Sequence, residues 1–358
     1  MKKILVFLFL FVSLVSSAQD NRFECDDTCS PEETGQVTYN VVSPVGFSTV
    51  EPITMAPRLN TLDGKTIAIV GEDFMYNITH PALKQLIKEN YPTAKVIMYD
   101  ELPIAGPYPA PGIVRQSTEE FRQRLIDLKV DAVIAGNGGC GICTPKETGS
   151  CIVAEKLGIP SVIVTAPGFD EEARYTARNN GVPVLRVAVY PGAFALHTEE
   201  QLVKNTREVT WPQIVKALTT PISQDEYSAT QAAQGITDDV FHGTLDEIYA
   251  YFQKMGWSDG APFCPPTYHK VKEYLDYTDH AWDETIAVLP AAFRQTTTWH
   301  VAVNACMAGC KPEYMPILIA MTKAMAGGDF RRTLQSTHAW VPYSWLNGPV
   351  ARQLGISC

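Results

Sequence analysis

The strongest constraint on the fold is a regular alternation of short apolar segments with amphipathic segments through the first part of the chain. The apolar runs lie at residues 65–70, 95–99, 131–135, 161–165 and 184–189. Helical patterns lie at residues 81–90, 118–129, 145–158, 169–180 and 198–218. Such alternation predicts an α/β fold: a doubly wound parallel sheet of about five strands, flavodoxin-like or Rossmann-like, with right-handed crossovers. Ligands bind such sheets beyond the carboxyl ends of the strands, where the strand order reverses.

The alternation fades after about residue 225. Four helices and one strand are predicted there, the helices at residues 244–256, 265–277, 297–308 and 312–325 and the strand at 285–289. Glycines and prolines mark most of their ends. The pattern therefore predicts a parallel α/β domain over residues 61–222, followed by a smaller α+β domain over residues 225–358.

The amino terminus has the three parts of a secretory signal. Lys2 and Lys3 precede an apolar run at residues 4–15, and small residues follow it up to Ala18. We therefore expect a signal peptide at residues 1–18 and export to the periplasm or the medium. The apolar run is too short for a membrane anchor, and none is expected elsewhere. Residues 19–60 lack sustained periodicity and are interpreted as a leader arm.

The charge balance narrows the choice of partners. The formal net charge is −10 and the pI is about 5.2, with no basic stripe along the chain. An acidic protein of this kind is not expected to bind nucleic acid or an anionic membrane. A small-molecule or thiol substrate fits better, and a homo-oligomer stays open.

The most informative motif is a cysteine pair in a glycine-rich loop that leaves the third predicted strand. Cys140 and Cys143 come just before a predicted helix, for which Thr144 is the expected N-cap, Pro145 the first residue and Glu147 the partner in a capping box. The free amides and dipole of a helix N-terminus stabilise a thiolate, which is the reactive form of cysteine. One sulfur can then attack a substrate and the other can resolve the intermediate.

Residues around the pair are candidates for substrate binding. Gly138 and Gly139, with Gly136, allow close backbone approach and offer amide donors to an oxyanion. Asn137 and Thr144 add polar side chains. The competing interpretation is a structural disulfide or an inert buried thiol pair, which is common in exported proteins. No second cysteine or histidine pair follows at ligand spacing, so zinc is less favoured and no cofactor is predicted.

This loop resembles that of the UGSC family, which is named for a selenocysteine-Gly-Ser-Cys motif whose first position is cysteine in some members. Cys140 stands in the selenocysteine place, Cys143 matches the final cysteine, and Ile142 replaces the serine. Residues 155–162 are similar to the family's passage from helix to strand, and the resemblance extends to residues 302–314 and 346–349. It implies an oxidoreductase with redox or nucleophilic chemistry at Cys140. The serine hydroxyl that could hydrogen-bond the reactive sulfur is absent here.

The second domain offers further candidates. Cys306 and Cys310 are four residues apart, so a continuous helix would place both sulfurs on one face, as an electron relay or a site for a soft metal such as copper or zinc. The alternative is that one is core and the other ends the helix. His338 and His80 are candidate acids or bases. Polar residues beside turns could line a site, namely Asn304, Glu313, Thr337 and Asn347.

Three functions follow from these residues. The first is an exported thiol-dependent oxidoreductase in which Cys140 attacks and Cys143 resolves. The second is a cysteine-nucleophile hydrolase or lyase that uses glycine amides as an oxyanion hole and His80 or His338 as base. The third is a soft-metal-binding protein. Cys143 distinguishes them, because a redox cycle requires it and a hydrolase does not.

Overall fold

A computed structural model describes residues 30–31, 37–102, 114–228, 235–289, 293–327 and 343–356. The predicted signal peptide lies outside the described residues, as do Thr337 and His338. Within the described ranges, no helix has the length and apolar character needed to cross a membrane.

The structure contains eleven strands in the described residues, in one parallel and two antiparallel sheets. They are β1 (Ser30–Pro31), β2 (Val37–Val42), β3 (Phe47–Ser48), β4 (Thr66–Val70), β5 (Lys95–Ile97), β6 (Ala132–Gly138), β7 (Ser161–Thr165), β8 (Val187–Val189), β9 (Asp239–Thr244), β10 (Thr285–Leu289) and β11 (Arg294–Thr297). The parallel sheet has the order β5-β4-β6-β7-β8. The predicted five-stranded, doubly wound α/β architecture is confirmed.

The helices of the described residues are α1 (Tyr76–Asn90), α2 (Val114–Asp127), α3 (Cys143–Lys156), α4 (Asp170–Asn179), α5 (Glu199–Asn205), α6 (Trp211–Thr219), α7 (Gln224–Ser228), α8 (Leu245–Lys254), α9 (Tyr268–Leu275), α10 (Thr298–Met307), α11 (Met315–Met325) and α12 (Pro349–Gln353). A π-helical segment at Thr206–Thr210 joins α5 to α6. The second residue of α6, Pro212, has no amide to donate to this segment.

Helices cover both faces of the parallel sheet, as the side chains of one central strand demonstrate. In β4, Ile67 and Ile69 pack in an apolar cluster with residues of α1, α5 and α6. The intervening Ala68 and Val70 pack in a second cluster with residues of α2, α3 and α4. Successive side chains of a strand point to opposite faces, so a strand buried on both faces must be apolar throughout.

The predicted leader arm is wrong for residues 37–60. Strand β2 lies between β1 and β9 in an antiparallel sheet, and β3 pairs with β11. Farther along, the amide of Ile53 donates to the carbonyl of Gly181 and that of Leu59 to Leu218. Apart from β1, these partners lie more than a hundred residues away, so no local periodicity predicts them. Strands β9 and β11 were likewise not predicted from the sequence.

Candidate functional site

The candidate site is a crevice at the carboxyl ends of β4 and β6. The chain passes from β4 to the sheet edge at β5 and returns to β6 on the other side of β4, so the strand order reverses between β4 and β6. The loop after β4 and the cysteine loop after β6 diverge from this point. This is the position where doubly wound sheets bind their ligands.

The helix after the cysteine loop begins earlier than predicted. Cys143 is the first residue of α3, and Ile142 occupies the N-cap position without a side-chain hydrogen bond. The amide of Thr144 donates to the carbonyl of Cys140 at 3.0 Å, which closes a helical turn before Thr144. The predicted N-cap at Thr144 and its capping box with Glu147 are therefore wrong. Pro145 still lies within the first turn of the helix, as its third residue.

The two sulfurs occupy different environments at this helix terminus. Cys140 is half-buried, whereas Cys143 is buried. The backbone amide of Cys143 donates to Cys140 Sγ at 3.0 Å, and the amide of Gly139 donates to Cys143 Sγ at 3.4 Å. The Cys143 thiol also lies 3.4 Å from the carbonyl oxygen of Cys140. An amide and a helix dipole therefore face the more accessible sulfur.

The electrostatics of Cys143 favour its protonated form. Burial, followed by the side-chain hydrogen bond with Cys140, raises the pKa of Cys143 to about 12. The nearby Asp73 carboxylate acts in the same direction. Cys143 is thus held as a thiol beside the more accessible Cys140.

The facing wall of the crevice is the loop after β4, which has a strained backbone. Phe74 and Met75 have φ values of 38° and 58°, which are uncommon for residues with a side chain. Asn137 holds this loop, since its Nδ2 donates to the Phe74 carbonyl at 2.7 Å and to Thr79 Oγ1 at 2.9 Å. A Cβ at Gly139 would lie 3.2 Å from the Phe74 ring, so glycine permits the close approach of the two loops.

Asn137 and Thr144 are buried in this region, and each has an oxygen atom without a hydrogen-bond partner, Asn137 Oδ1 and Thr144 Oγ1. Buried polar atoms are almost always paired in folded proteins. A Cβ at Gly138 would lie 2.9 Å from Thr144 Oγ1, so this glycine too permits close packing at the strand end. The four residues predicted to bind substrate here, Asn137, Gly138, Gly139 and Thr144, all lie in or beside the cysteine loop.

His80 lies in α1 behind the cysteine loop and is fully buried. Its Nε2 is 3.2 Å from the carbonyl oxygen of Gly136, and its Nδ1 is 3.4 Å from Thr79 Oγ1. Burial lowers the pKa of His80 to about 4. The imidazole is therefore neutral at physiological pH, and both of its nitrogens face groups that position the loop.

Sequence reasoning missed a charged cluster at the crevice. Lys146 Nζ lies 2.7 Å from Asp73 Oδ2 and 3.1 Å from Glu147 Oε1. Burial raises the pKa of Glu147 to about 8, although the Lys146 ammonium acts in the opposite direction. A Cβ on Gly71 would lie 2.3 Å from Glu147 Oε2, so the carboxyl reaches the end of β4. The strand-end rule could have identified the cluster, because these residues follow two strands that flank the reversal.

The other predicted site residues lie elsewhere. Asn304, Glu313 and Asn347 are exposed. Asn304 Nδ2 donates to the carbonyls of Pro44 and His300, and Asn347 Oδ1 accepts from Trp345 Nε1. In the described part of the chain, none of these hydrogen bonds reaches the cysteine loop.

Cys306 and Cys310 do not share one helical face; the alternative is confirmed, with Cys306 in the core and Cys310 beyond the end of the helix. Helix α10 ends at Met307, and Gly309, with a φ of 67°, turns the chain away. The Cys306 thiol instead contacts the sulfur of Cys264, at 3.8 Å. No group of three or more histidine, cysteine or acidic side chains in the described part of the chain could hold a metal ion.

Fold and site together define an α/β protein with a cysteine pair at the switch point of a flavodoxin-like sheet. The chain belongs to the UGSC family: the sequence model of that family matches residues 40–220, just over half of the 358 residues. The match includes Cys140 and Cys143, whereas residues 302–314 and 346–349 lie beyond it, and the resemblance stated for them stays a prediction.

A search of curated proteins finds no match. Among solved structures, a conserved protein from Enterococcus faecalis V583 is 13% identical, with 40% of this chain and 98% of that chain covered and a TM-score of 0.23. A similarity at this level supports no conclusion about fold or function.

Proposed function

We propose that this protein is a thiol-dependent oxidoreductase that uses Cys140 as the attacking sulfur and Cys143 as the resolving sulfur. The observation that carries the proposal is the asymmetry of the pair. The half-buried Cys140 Sγ accepts an amide hydrogen bond at the start of α3, while Cys143 is buried with its pKa raised to about 12. An accessible sulfur that accepts an amide hydrogen bond and a protected neighbour that stays a thiol fit the attacking and resolving roles in thiol–disulfide exchange.

The reaction is an exchange of two electrons. The Cys140 thiolate attacks a disulfide of a small-molecule or thiol-containing substrate, forming a mixed disulfide and expelling one substrate thiolate. Cys143 then loses its proton and attacks Cys140 Sγ, which forms the Cys140–Cys143 disulfide and releases the second substrate thiolate. The cysteines are oxidised and the substrate disulfide is reduced; the reverse sequence oxidises a substrate dithiol.

The ionised form of Glu147, which prevails above about pH 8, is suited to accept the proton of Cys143. It lies four residues later in α3, on the same face of the helix. Its pKa of about 8, raised by burial, leaves most of it protonated at pH 7 but makes its ionised form a stronger base than an ordinary carboxylate. Lys146 and Asp73 hold it at the crevice. His80 acts as a positioning residue, because its neutral ring supports the backbone of Gly136.

Export by the segment at residues 1–18 belongs to the same proposal. Outside the cytosol, disulfides are the stable form of most cysteine pairs. The Cys140–Cys143 pair would then oxidise substrate thiols or isomerise substrate disulfides, and neither reaction consumes an external reductant.

The test is thiol mapping of the purified chain with glutathione redox buffers. After reduction, iodoacetamide at neutral pH should alkylate Cys140 well before Cys143. After exposure to oxidised glutathione, mass spectrometry should find a Cys140–Cys143 disulfide. A Cys143→Ser variant should accumulate a glutathione adduct at Cys140, because the resolving sulfur is gone.

Cys151→Ser is the matched control, since Cys151 is buried in the core of the same helix. It should leave the reactions of both site cysteines unchanged. If Cys140 never couples to Cys143 under any glutathione ratio, the oxidoreductase proposal fails. If, in that case, iodoacetamide still alkylates Cys140 at low pH, the result would favour the hydrolase or lyase instead.

A further inference from the structure

A second sulfur pair lies in the carboxyl-terminal part of the molecule, outside the crevice. Cys264 belongs to the extended segment between α8 and α9, and Cys306 lies in the last turn of α10. Their Sγ atoms are 3.8 Å apart although the residues are separated by 42 positions. Both are free thiols in this structure.

The backbone holds the two residues in reach of each other. The amide of Cys264 donates to the carbonyl of Met307, the neighbour of Cys306, at 3.3 Å. The Tyr274 hydroxyl donates to the carbonyl of Cys310 at 2.6 Å, which ties the turn after α10 to α9. A disulfide requires a sulfur separation of about 2.05 Å. Side-chain rotation of Cys264, which lies in neither helix nor strand, can supply the remaining approach.

The two thiols differ in accessibility and in acidity. Cys306 is fully buried, whereas Cys264 is half-buried. The hydrogen bond from the Cys306 thiol lowers the pKa of Cys264, and the Lys270 ammonium acts in the same direction. That hydrogen bond, together with burial, raises the pKa of Cys306. Cys264 is the sulfur that an oxidant meets first.

We propose that Cys264 and Cys306 form a second redox pair, independent of the Cys140 site, in which Cys264 is the nucleophile and Cys306 resolves. Its co-reactant is a small-molecule disulfide. In the oxidised form, the segment before α9 is covalently attached to α10. Cys310 is not a member of the pair.

The chemistry balances with that disulfide as oxidant. The Cys264 thiolate attacks one sulfur of the disulfide, and the other sulfur leaves as a thiolate. The Cys306 thiol gives up its proton to solvent and attacks Cys264 Sγ, which breaks the mixed bond and expels the second thiolate. The two cysteines lose two electrons, and the small-molecule disulfide gains them.

The experiment treats the purified, reduced full chain with oxidised glutathione and maps its peptides without reduction. A peptide linked through Cys264 and Cys306 is expected, and dithiothreitol should release it without denaturant. In Cys306→Ser the glutathione adduct should accumulate at Cys264. In Cys264→Ser the adduct at Cys306 should form at least about ten-fold more slowly, because Cys306 is fully buried.

Cys310→Ser is the matched control, because it removes a neighbouring half-buried thiol that the proposal leaves out. It should form the Cys264–Cys306 link as the parent chain does. A Cys306–Cys310 link, full alkylation of Cys264 and Cys306 after oxidation, or stoichiometric zinc or copper bound through these two thiols would each overturn the proposal. The parent chain alone decides the first two outcomes, so the result does not depend on the folding of any variant.

Discussion

Helix α3 carries two buried glutamates, one near each end, and the two carboxyl groups have different hydrogen-bond and charge partners. Glu155 accepts two hydrogen bonds from the guanidinium of Arg58, at 2.9 and 3.1 Å, and others from the amide and hydroxyl of Ser161. Among the described residues, the cationic partner of Glu147 is the Lys146 ammonium, at 3.1 Å. Each of the two glutamates is about 1% exposed.

The difference distinguishes a structural end of the helix from the end at which the proposed site lies. At the carboxyl-terminal end, every oxygen of the glutamate is satisfied, so its charge is compensated within the core. At the amino-terminal end, burial without full compensation raises the pKa of Glu147 to about 8. Groups perturbed in this way are concentrated at functional sites. The same residue type on one helix thus stabilises the fold at one end and can transfer a proton at the other.

The largest effect is expected at the compensated end. Glu155→Ala should lower the free energy of unfolding by about 3–5 kcal/mol, because it leaves the Arg58 charge buried without a partner. Urea denaturation followed by circular dichroism measures this loss. The double variant Arg58→Met, Glu155→Met should recover only part of it, since the amides of Ala56 and Ser161 still lose their acceptor. An unchanged urea midpoint in Glu155→Ala would show that the ion pair contributes nothing.

At the other end, Glu147 makes stability depend on pH. The folded protein keeps the Glu147 proton up to a pKa of about 8, whereas the unfolded chain loses it near 4.5, so stability falls as pH rises through this window. At pH 7, which is 2.5 units above 4.5, the loss is about 3 kcal/mol at 1.36 kcal/mol per unit. Glu147→Gln should remove this slope and be the more stable protein at pH 7. Unfolding measured at pH 4.5, 6, 7 and 8 tests it, and parallel profiles of the two proteins would contradict it.

Two glycines provide the comparison with the smallest expected difference in stability, since Gly71 lies beside Glu147 and Gly158 follows the carboxyl-terminal end of α3. Gly71 has a φ of 106°, and a Cβ there would lie 2.0 Å from the Gly136 carbonyl oxygen and 2.3 Å from Glu147 Oε2. Gly158, just after α3, has a φ of 77° and nothing within 4 Å of a Cβ. We expect Gly158→Ala to cost about 1 kcal/mol from backbone strain alone. Gly71→Ala should cost about 3 kcal/mol, since steric overlap is added.

Thermal unfolding of both glycine variants gives the comparison directly. Gly71→Ala should also slow the alkylation of Cys143 relative to Gly158→Ala, because it displaces Glu147, the proposed acceptor of the Cys143 proton. Equal losses of stability in the two variants would mean that the end of β4 is less tightly packed against α3 than the structure indicates.

The sequence predicted much of the parallel sheet because its strands are buried on both faces. Residues 161–165 were predicted as a strand and form β7, and residues 131–135 were predicted close to β6. The start of α3 was misplaced because Thr144, Pro145 and Glu147 form a convincing capping pattern. The closure of the turn by the carbonyl of Cys140 depends on the path of the preceding loop, which the pattern does not encode.

The amino-acid sequence by itself determined the order of strands and helices in the parallel α/β region and the position of the cysteine pair at a strand end, because these depend on local periodicity and on the rules of parallel sheets. Only the tertiary structure decided that β2 pairs with β9, that Cys306 faces Cys264, and that Glu147 is buried beside Lys146 and Gly71. Contacts between distant segments depend on how the whole chain closes, and burial, which sets the pKa of Glu147, exists only after that closure.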